Sequence, residues 1–445
     1  MNTPICDFVN QYANSGTLRC HMPGHKGVGT LGIERRDITE IAGADSLYEA
    51  DGIIRESEEN ASQLFGCPTY YSTEGSSQCI RAMLYLVQAY AKECGKAPLI
   101  LAARNAHKTF LSAVALLDLP VSWLPVTKQD SYLSCRVDAS ELDRHLTSCT
   151  AKPVALYLTS PDYLGTVSDI RAIAAVCHRH GVKLLVDNAH GAYLKFLPHS
   201  EHPIDLGADL ACDSAHKTLP VLTGGAYLHV AKNAPACFSA LAKNALALFG
   251  STSPSYLILQ SLDAANAYLH ELFPKQLADF LPIACGLRDT LCAHGFHCVG
   301  DEALKLTVRT KPYGYLGTHL SALLRERGIE CELADPDYVV LMLTPTLGAD
   351  ALTHLREAFC SIPPKAPIEE APPAPVRGTP RMSVRDAMLA PAEILPTKAS
   401  VGRILAAPSV SCPPAIPILL CGEEITQDVI DVMLYYGIKT CPVVK

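Results

Sequence analysis

The sequence predicts an α/β protein built on a mostly parallel sheet with helices on both faces. Between about residues 99 and 187, apolar runs of strand length alternate with stretches of helical periodicity. Hydrophobic residues make up 49% of the 445 and charged residues 18%, enough for a large core and incompatible with global disorder. No apolar run approaches the roughly 18 residues that a membrane helix needs, so the apolar content belongs to a packed interior.

In chain order, Met1 to Asn10 lacks the basic-then-apolar pattern of a secretory signal. A Gly-rich stretch, Pro23 to Gly32, is the first composition break. A strong helical stretch runs from Gln78 to about Cys94, introduced by Glu74-Gly75-Ser76-Ser77. Leu99–Ala103 and Val154–Thr159 read as buried strands. Asp169–His180 reads as a helix because Ile170, Ile173, Ala174 and Cys177 recur at helical spacing, with Gly181 as its C-cap. Val182–Asp187 is then a strand ending in a carboxylate. Such sheets bind ligands beyond the carboxyl ends of their strands, which draws attention to Asp187 and to the segment with Asn105 and His107. The second break, Pro363–Pro380, holds seven prolines in 18 residues and reads as a linker or an extended strap before a tail, Arg381–Lys445.

Charge narrows the function classes. Lys plus Arg total 37 against 45 Asp plus Glu, a net charge of −8, which makes the chain a poor ligand for nucleic acid or anionic membranes. None of the 18 cysteines forms a Cys-x-x-Cys pair, so neither a structural zinc site nor a disulfide framework is indicated, and a cytoplasmic protein with reduced thiols is expected. His21 and His25 are spaced four apart, but Pro23 and Gly24 break the helix that would align them, and no metal is expected there.

Several motifs are weak alone. Gly27-Val28-Gly29-Thr30-Leu31-Gly32 matches a dinucleotide fingerprint in its glycines, but no strand precedes it, and a loop is the better reading. Asp187-Asn188-Ala189-His190 has no phosphate-binding loop to accompany it as a nucleotide site. Gly75-Ser76-Ser77 at a helix start could hold an anion or serve as an ordinary cap. The sharpest segment is Ala211-Cys212-Asp213-Ser214-Ala215-His216-Lys217-Thr218, read as a loop whose lysine would become nucleophilic if desolvated. Ser76, His107, Asp187 and Lys217 together are the parts a pyridoxal 5'-phosphate site needs: a helix N-terminus for the phosphate, a flat side chain over the ring, a carboxylate on the pyridinium, and a lysine for the Schiff base.

With those residues in place, the chain resembles the shorter form of the Orn/Lys/Arg decarboxylases, fold-type-I pyridoxal-phosphate enzymes acting on basic amino acids. The resemblance rests on His21-Met22-Pro23-Gly24-His25-Lys26-Gly27, Ser72-Thr73-Glu74-Gly75-Ser76-Ser77, Asn105-Ala106-His107-Lys108 and Asp187-Asn188-Ala189-His190-Gly191. It continues through Ser214-Ala215-His216-Lys217-Thr218-Leu219-Pro220, Thr252-Ser253-Pro254-Ser255-Tyr256, Pro413-Pro414-Ala415-Ile416-Pro417 and Gly422-Glu423. It implies an aspartate-aminotransferase-like large domain at 31–262 after an N-terminal segment, 1–30. A small α/β domain at 263–362, the linker at 363–380 and a C-terminal domain at 381–445 would follow. It further implies that Lys217 carries the cofactor, that Asp187 pairs with the pyridine nitrogen with His190 nearby, and that His107 stacks over the ring. Gly75, Ser76, Ser77, Ser214 and His216 would hold the phosphate. Thr252 and Ser253 would reach the phosphate of a neighbouring subunit, making a homodimer obligatory.

The chain departs from the family at Asn188, where Glu is commoner, at Cys212-Asp213, which replaces a more polar pair, and at the small run Thr223-Gly224-Gly225-Ala226. The expected reaction is decarboxylation of a basic L-amino acid, arginine or lysine and then ornithine, with Lys217 or His216 returning the proton to Cα. Glu393 or Glu423 is the expected partner of the substrate's basic side chain, against the alternative that each is a solvated surface carboxylate. Two other readings stand beside it: an aminotransferase or other enzyme on the same fold, and a non-catalytic relative.

Overall fold

The computed structural model describes residues 1–125, 131–410 and 416–445, so the Pro413-Pro414-Ala415 part of the tail motif lies outside the described residues. Its first strands in chain order are β1 (Thr69–Ser72), β2 (Ile100–Ala102), β3 (Val121–Trp123), β4 (Ala155–Thr159), β5 (Lys183–Asp187), β6 (Leu210–Asp213) and β7 (Ala226–Val230). The chain divides into two compact units, residues 1–97 with 183–278, and residues 98–182 with 279–445.

In the first unit, β5 and β6 pair in parallel, with Asp187 opposite Cys212. β6 pairs antiparallel with β7, and β7 antiparallel with β1. The parallel sheet read from the sequence therefore carries an antiparallel edge. β7, between β1 and β6, is buried along its whole length, so its residues do not show the alternation that would advertise an antiparallel strand. The helix predicted from Gln78 begins two residues earlier, as Ser76–Glu93, and buries Cys79, Ile80, Ala82, Met83, Leu86 and Val87. Asp45 is a local organiser in this unit: its carboxylate accepts the amides of Gly52 and Ile54 at 2.9 and 3.0 Å, ahead of the helix Ile53–Phe65. The glycine-rich segment after Pro23 is loop, with His21 bonded to the Tyr12 hydroxyl and His25 to Asp37.

In the second unit, β2 pairs in parallel with both β3 and β4. The helix expected from Asp169 spans Ile170–Arg179; the Asp169 side chain accepts the Ala172 amide, and Gly181 takes the left-handed conformation (φ 68°) just beyond the end. A second, antiparallel sheet orders β10 (Leu333–Ala334), β11 (Tyr338–Met342), β9 (Lys305–Arg309) and β8 (His297–Val299). The tail has its own apolar cluster, including Leu405, Ile418, Ile425, Val429, Met433 and Val443. The proline-rich stretch is a strap within this unit: Ile368 N–H donates to the Lys311 carbonyl at 3.0 Å, and Val376 packs against the tail cluster. No helix among the described residues is long and apolar enough to cross a membrane.

Candidate active site

Lys217 follows β6 directly. The segment read as a loop is one helical turn, Ala215–Thr218, because Leu219 N–H returns to the Ala215 carbonyl at 2.8 Å. That turn brings Lys217 Nζ to 3.0 Å from His190 Nε2. His190 belongs to the segment leaving β5, so the amine and the Asp187 segment meet at the carboxyl ends of two adjacent parallel strands.

Asp187 is the last residue of β5 and only 2% exposed. Its Oδ1 accepts the Ala189 amide at 3.2 Å and lies 3.7 Å from the Cys212 thiol. Burial, and then the Asp187 charge, push the Cys212 thiol well up, so it stays protonated and faces the carboxylate as a weak donor.

The third group is built at the start of the helix Ser76–Glu93. Gly75 is its N-cap at φ 71°, ψ 178°, and supplies no side-chain acceptor for the first-turn amides. Ser72 Oγ closes the preceding turn by donating to the Gly75 carbonyl at 3.0 Å. Ser214, directly before the lysine turn, donates to Ser76 Oγ at 2.8 Å, which joins the helix start to the lysine segment. Hydroxyls and first-turn amides at a helix N-terminus form a cradle for a dianion.

A feature absent from the sequence reading ties these parts together. The Gly224 carbonyl accepts the Gly75 amide at 2.8 Å, and the Gly225 carbonyl accepts both the His216 amide at 3.2 Å and its Nδ1–H at 2.9 Å. Neither glycine tolerates a side chain: a Cβ on Gly224 (φ 100°) would lie 2.9 Å from the Thr73 carbonyl oxygen, and one on Gly225 would lie 2.3 Å from Val221 Cγ1. The small run Thr223–Ala226 is therefore the backbone clamp between the helix start and the lysine turn.

The structure thus gathers Gly75, Ser76, Asp187, His190, Ser214, His216 and Lys217 within the first unit, with Ser77 in the first turn of the same helix. Thr252 and Ser253 are exposed in a loop whose Ser251 amide reaches Glu74 Oε1 at 3.4 Å. The remaining expected residues lie in the second unit. His107 caps the helix Lys108–Leu117 by accepting the Thr109 amide. Glu393 is paired with Arg403 at 2.8 Å. Glu423 is 7% exposed, accepts the Leu420 amide at 3.0 Å and lies 3.9 Å from Arg104. It is therefore a buried carboxylate and not a solvated one.

A family model described as Orn/Lys/Arg decarboxylase, major domain, matches residues 3–308. The chain belongs to the Orn/Lys/Arg decarboxylase family. Among its relatives, an arginine decarboxylase of Halalkalibacterium halodurans is 30% identical over 96% of this chain and 91% of its own length. An arginine decarboxylase of Bacillus subtilis is 29% identical over 96% of this chain and 92% of its own length. The solved lysine decarboxylase LdcF of Francisella novicida superposes with a TM-score of 0.80 at 17% identity, covering all of this chain and 81% of that one. The fold is thus the fold-type-I α/β architecture. Family and fold imply pyridoxal phosphate, and the residues of this decarboxylase fit it. An amine stands beside an imidazole, a buried carboxylate ends the neighbouring strand, and paired hydroxyls sit at a helix N-terminus without a side-chain cap.

Proposed function

We propose that this Orn/Lys/Arg decarboxylase removes the α-carboxylate of a basic L-amino acid, arginine or lysine and then ornithine, giving CO₂ and the corresponding amine. The observation that carries the reading is the 3.0 Å contact between Lys217 Nζ and His190 Nε2, on the segment that also holds Asp187. Pyridoxal phosphate bound there supplies an electron sink for the pair left on Cα when the carboxylate departs.

The chain's own groups have separable tasks in this reading. Asp187 holds a positive charge at a buried position. Ser76, Ser77, Ser214 and Gly75 hold a phosphate by hydroxyl and amide donors. His190 takes a proton from the Lys217 ammonium, leaving an amine able to form a covalent link, and the same pair returns a proton to Cα after CO₂ leaves. His216 spends its Nδ1–H on the Gly225 carbonyl and keeps Nε2 to carry a proton, so it stands beside Lys217 as the second candidate for returning the proton to Cα. His107 covers one face of the ring, and Thr252 and Ser253 act across a homodimer of a cytoplasmic enzyme. Glu393 and Glu423 are the acidic candidates for the substrate's cation. Each already faces an arginine, so each has to be tested by its Gln variant as a rise in KM for basic substrates.

The test is incubation of the purified protein with pyridoxal phosphate and a panel of amino acids, with CO₂ and amine measured against keto acid. CO₂ with one basic amine supports the reading, whereas a keto acid assigns an aminotransferase. Lys217→Ala abolishes turnover while the fold survives; a fully active variant would mean another lysine carries the chemistry.

A further inference from the structure

We propose that Asp213, with Asn188, His202 and His229 around it, is a positioning brace that sets the Asp187–His190 segment against the Lys217 turn. The proposal rests on Lys217 as the cofactor-bearing amine. Asp213 ends β6, four residues before Lys217, and Asn188 stands between Asp187 and His190. Asn188 is bound to β6 twice: its backbone N–H donates to the Cys212 carbonyl at 2.9 Å, and its Nδ2 donates to Asp213 Oδ1 at 2.7 Å. The other carboxylate oxygen, Oδ2, accepts His202 Nε2 at 3.1 Å and His229 Nε2 at 3.2 Å. One carboxylate therefore gathers donors from the segment after β5, from the loop before β6 and from β7. The two sides of the Lys217–His190 contact are carried on the two sides of the Asn188–Asp213 bond.

Asp213, His202 and His229 are fully buried, and the two histidine rings face Asp213 Oδ2 as its donors. Burial pushes the Asp213 carboxyl up, but the two histidines and their hydrogen bonds outweigh it and hold it well below the usual carboxylate range. His202 Nδ1 accepts the Ile204 amide at 3.4 Å, which leaves its Nε2–H for Asp213. Burial lowers His229, so it faces Asp213 as a neutral donor at neutral pH. A buried carboxylate supplied with three donors is rigid, because losing any one leaves a charge underpaired. The pair has a fixed polarity, with the amide donor on residue 188 and the charge on residue 213.

Asn188→Asp sets two carboxylates against each other at the position of the 2.7 Å bond. It is expected to lower kcat by about 10- to 100-fold, the range for a small misplacement of reacting groups, and to shift the cofactor's visible absorbance band. The exchange variant Asn188→Asp/Asp213→Asn restores one donor and one acceptor, leaves a carbonyl oxygen for the two histidines, and is expected to recover about tenfold or more of that loss. Should the single variant not fold, Asn188→Ala removes only the donor and is expected to lower kcat about tenfold. A folded Asn188→Asp or Asn188→Ala protein with wild-type kcat and band overturns the brace, as does an exchange variant no better than Asn188→Asp. The ligand atoms of His202, Asp213 and His229 also lie within 4.8 Å of one another, so stoichiometric metal in the purified protein, with activity lost on chelation, overturns it in favour of a metal centre. Borohydride trapping of the cofactor on the wild-type protein, read by peptide mass, tests the Lys217 assignment separately. Failure there sinks the functional reading, whatever the Asn188 variants do.

Discussion

Gly224→Ala puts a number on the glycine clamp. At φ 100° an alanine is strained, which costs roughly 1–3 kcal/mol. Its Cβ would lie 2.9 Å from the Thr73 carbonyl oxygen and 3.0 Å from Ile258 Cδ1. The ethyl end of Ile258 can rotate, but the backbone carbonyl cannot swing aside without moving the turn that leads to Gly75. Overpacking of this kind adds about 1–3 kcal/mol, so the expected destabilisation is about 4 kcal/mol. With about 2.1 cal/mol/K of unfolding entropy per residue, that lowers Tm by roughly 4 °C if the whole chain melts together and roughly 10 °C if the first unit melts alone. Because the Gly224 carbonyl holds the Gly75 amide at 2.8 Å, affinity for pyridoxal phosphate also falls, by about tenfold for one lost positioning bond. Calorimetry and a cofactor titration measure the two effects. The control is Gly286→Ala: this exposed helical position has nothing within 4 Å of a Cβ, and the change should raise stability by up to about 1 kcal/mol. A Gly224→Ala protein with wild-type Tm and cofactor affinity would refute the clamp.

Two further outcomes follow from buried charges in the second unit. Burial, reinforced by the Asp337 charge and opposed by its own backbone bonds and Lys311, pushes Asp335 up to about 6. The folded state therefore binds a proton more readily than the unfolded chain, and stability falls as pH rises from about 4 to about 6, by about 3 kcal/mol. Asp335→Asn keeps an acceptor for the amides of Asp337 and Tyr338 and should flatten that part of the profile in denaturant melts; an unchanged difference from wild type across the window would count against it. Arg104→Met leaves Glu423 without its cation and frees the Pro417 and Ile418 carbonyls, at about 3–5 kcal/mol. Glu423→Gln keeps an acceptor for the Leu420 amide and should cost less; equal losses in denaturant titrations would contradict this ranking.

The elements easiest to read in the sequence are those whose signals lie within one or two turns. The apolar repeat from Ile170 to Cys177 and Gly181 as the stop placed a helix to within a residue at each end, because each signal acts on neighbouring groups. The lysine segment was harder: Asp213 to Thr218 carries polar residues that suggest a loop, and only hydrogen bonds to Ser76 and Gly225 make it a held turn. His202 and His229 gave no spacing signal with Asp213. The one available hint was a histidine inside the apolar strand Ala226–Val230, since a buried polar group needs a partner.

By itself the sequence singled out an amine, a carboxylate and a helix start as the candidate site of this decarboxylase family member, because reactive side chains and their local caps are written in short motifs. Only the tertiary structure decided how they are held. Gly224 and Gly225 meet residues 75 and 216, and Asp213 collects donors from positions 188, 202 and 229. Those distances along the chain exceed any local periodicity. They close only when burial brings the strands together and leaves each buried polar atom to find its partner there.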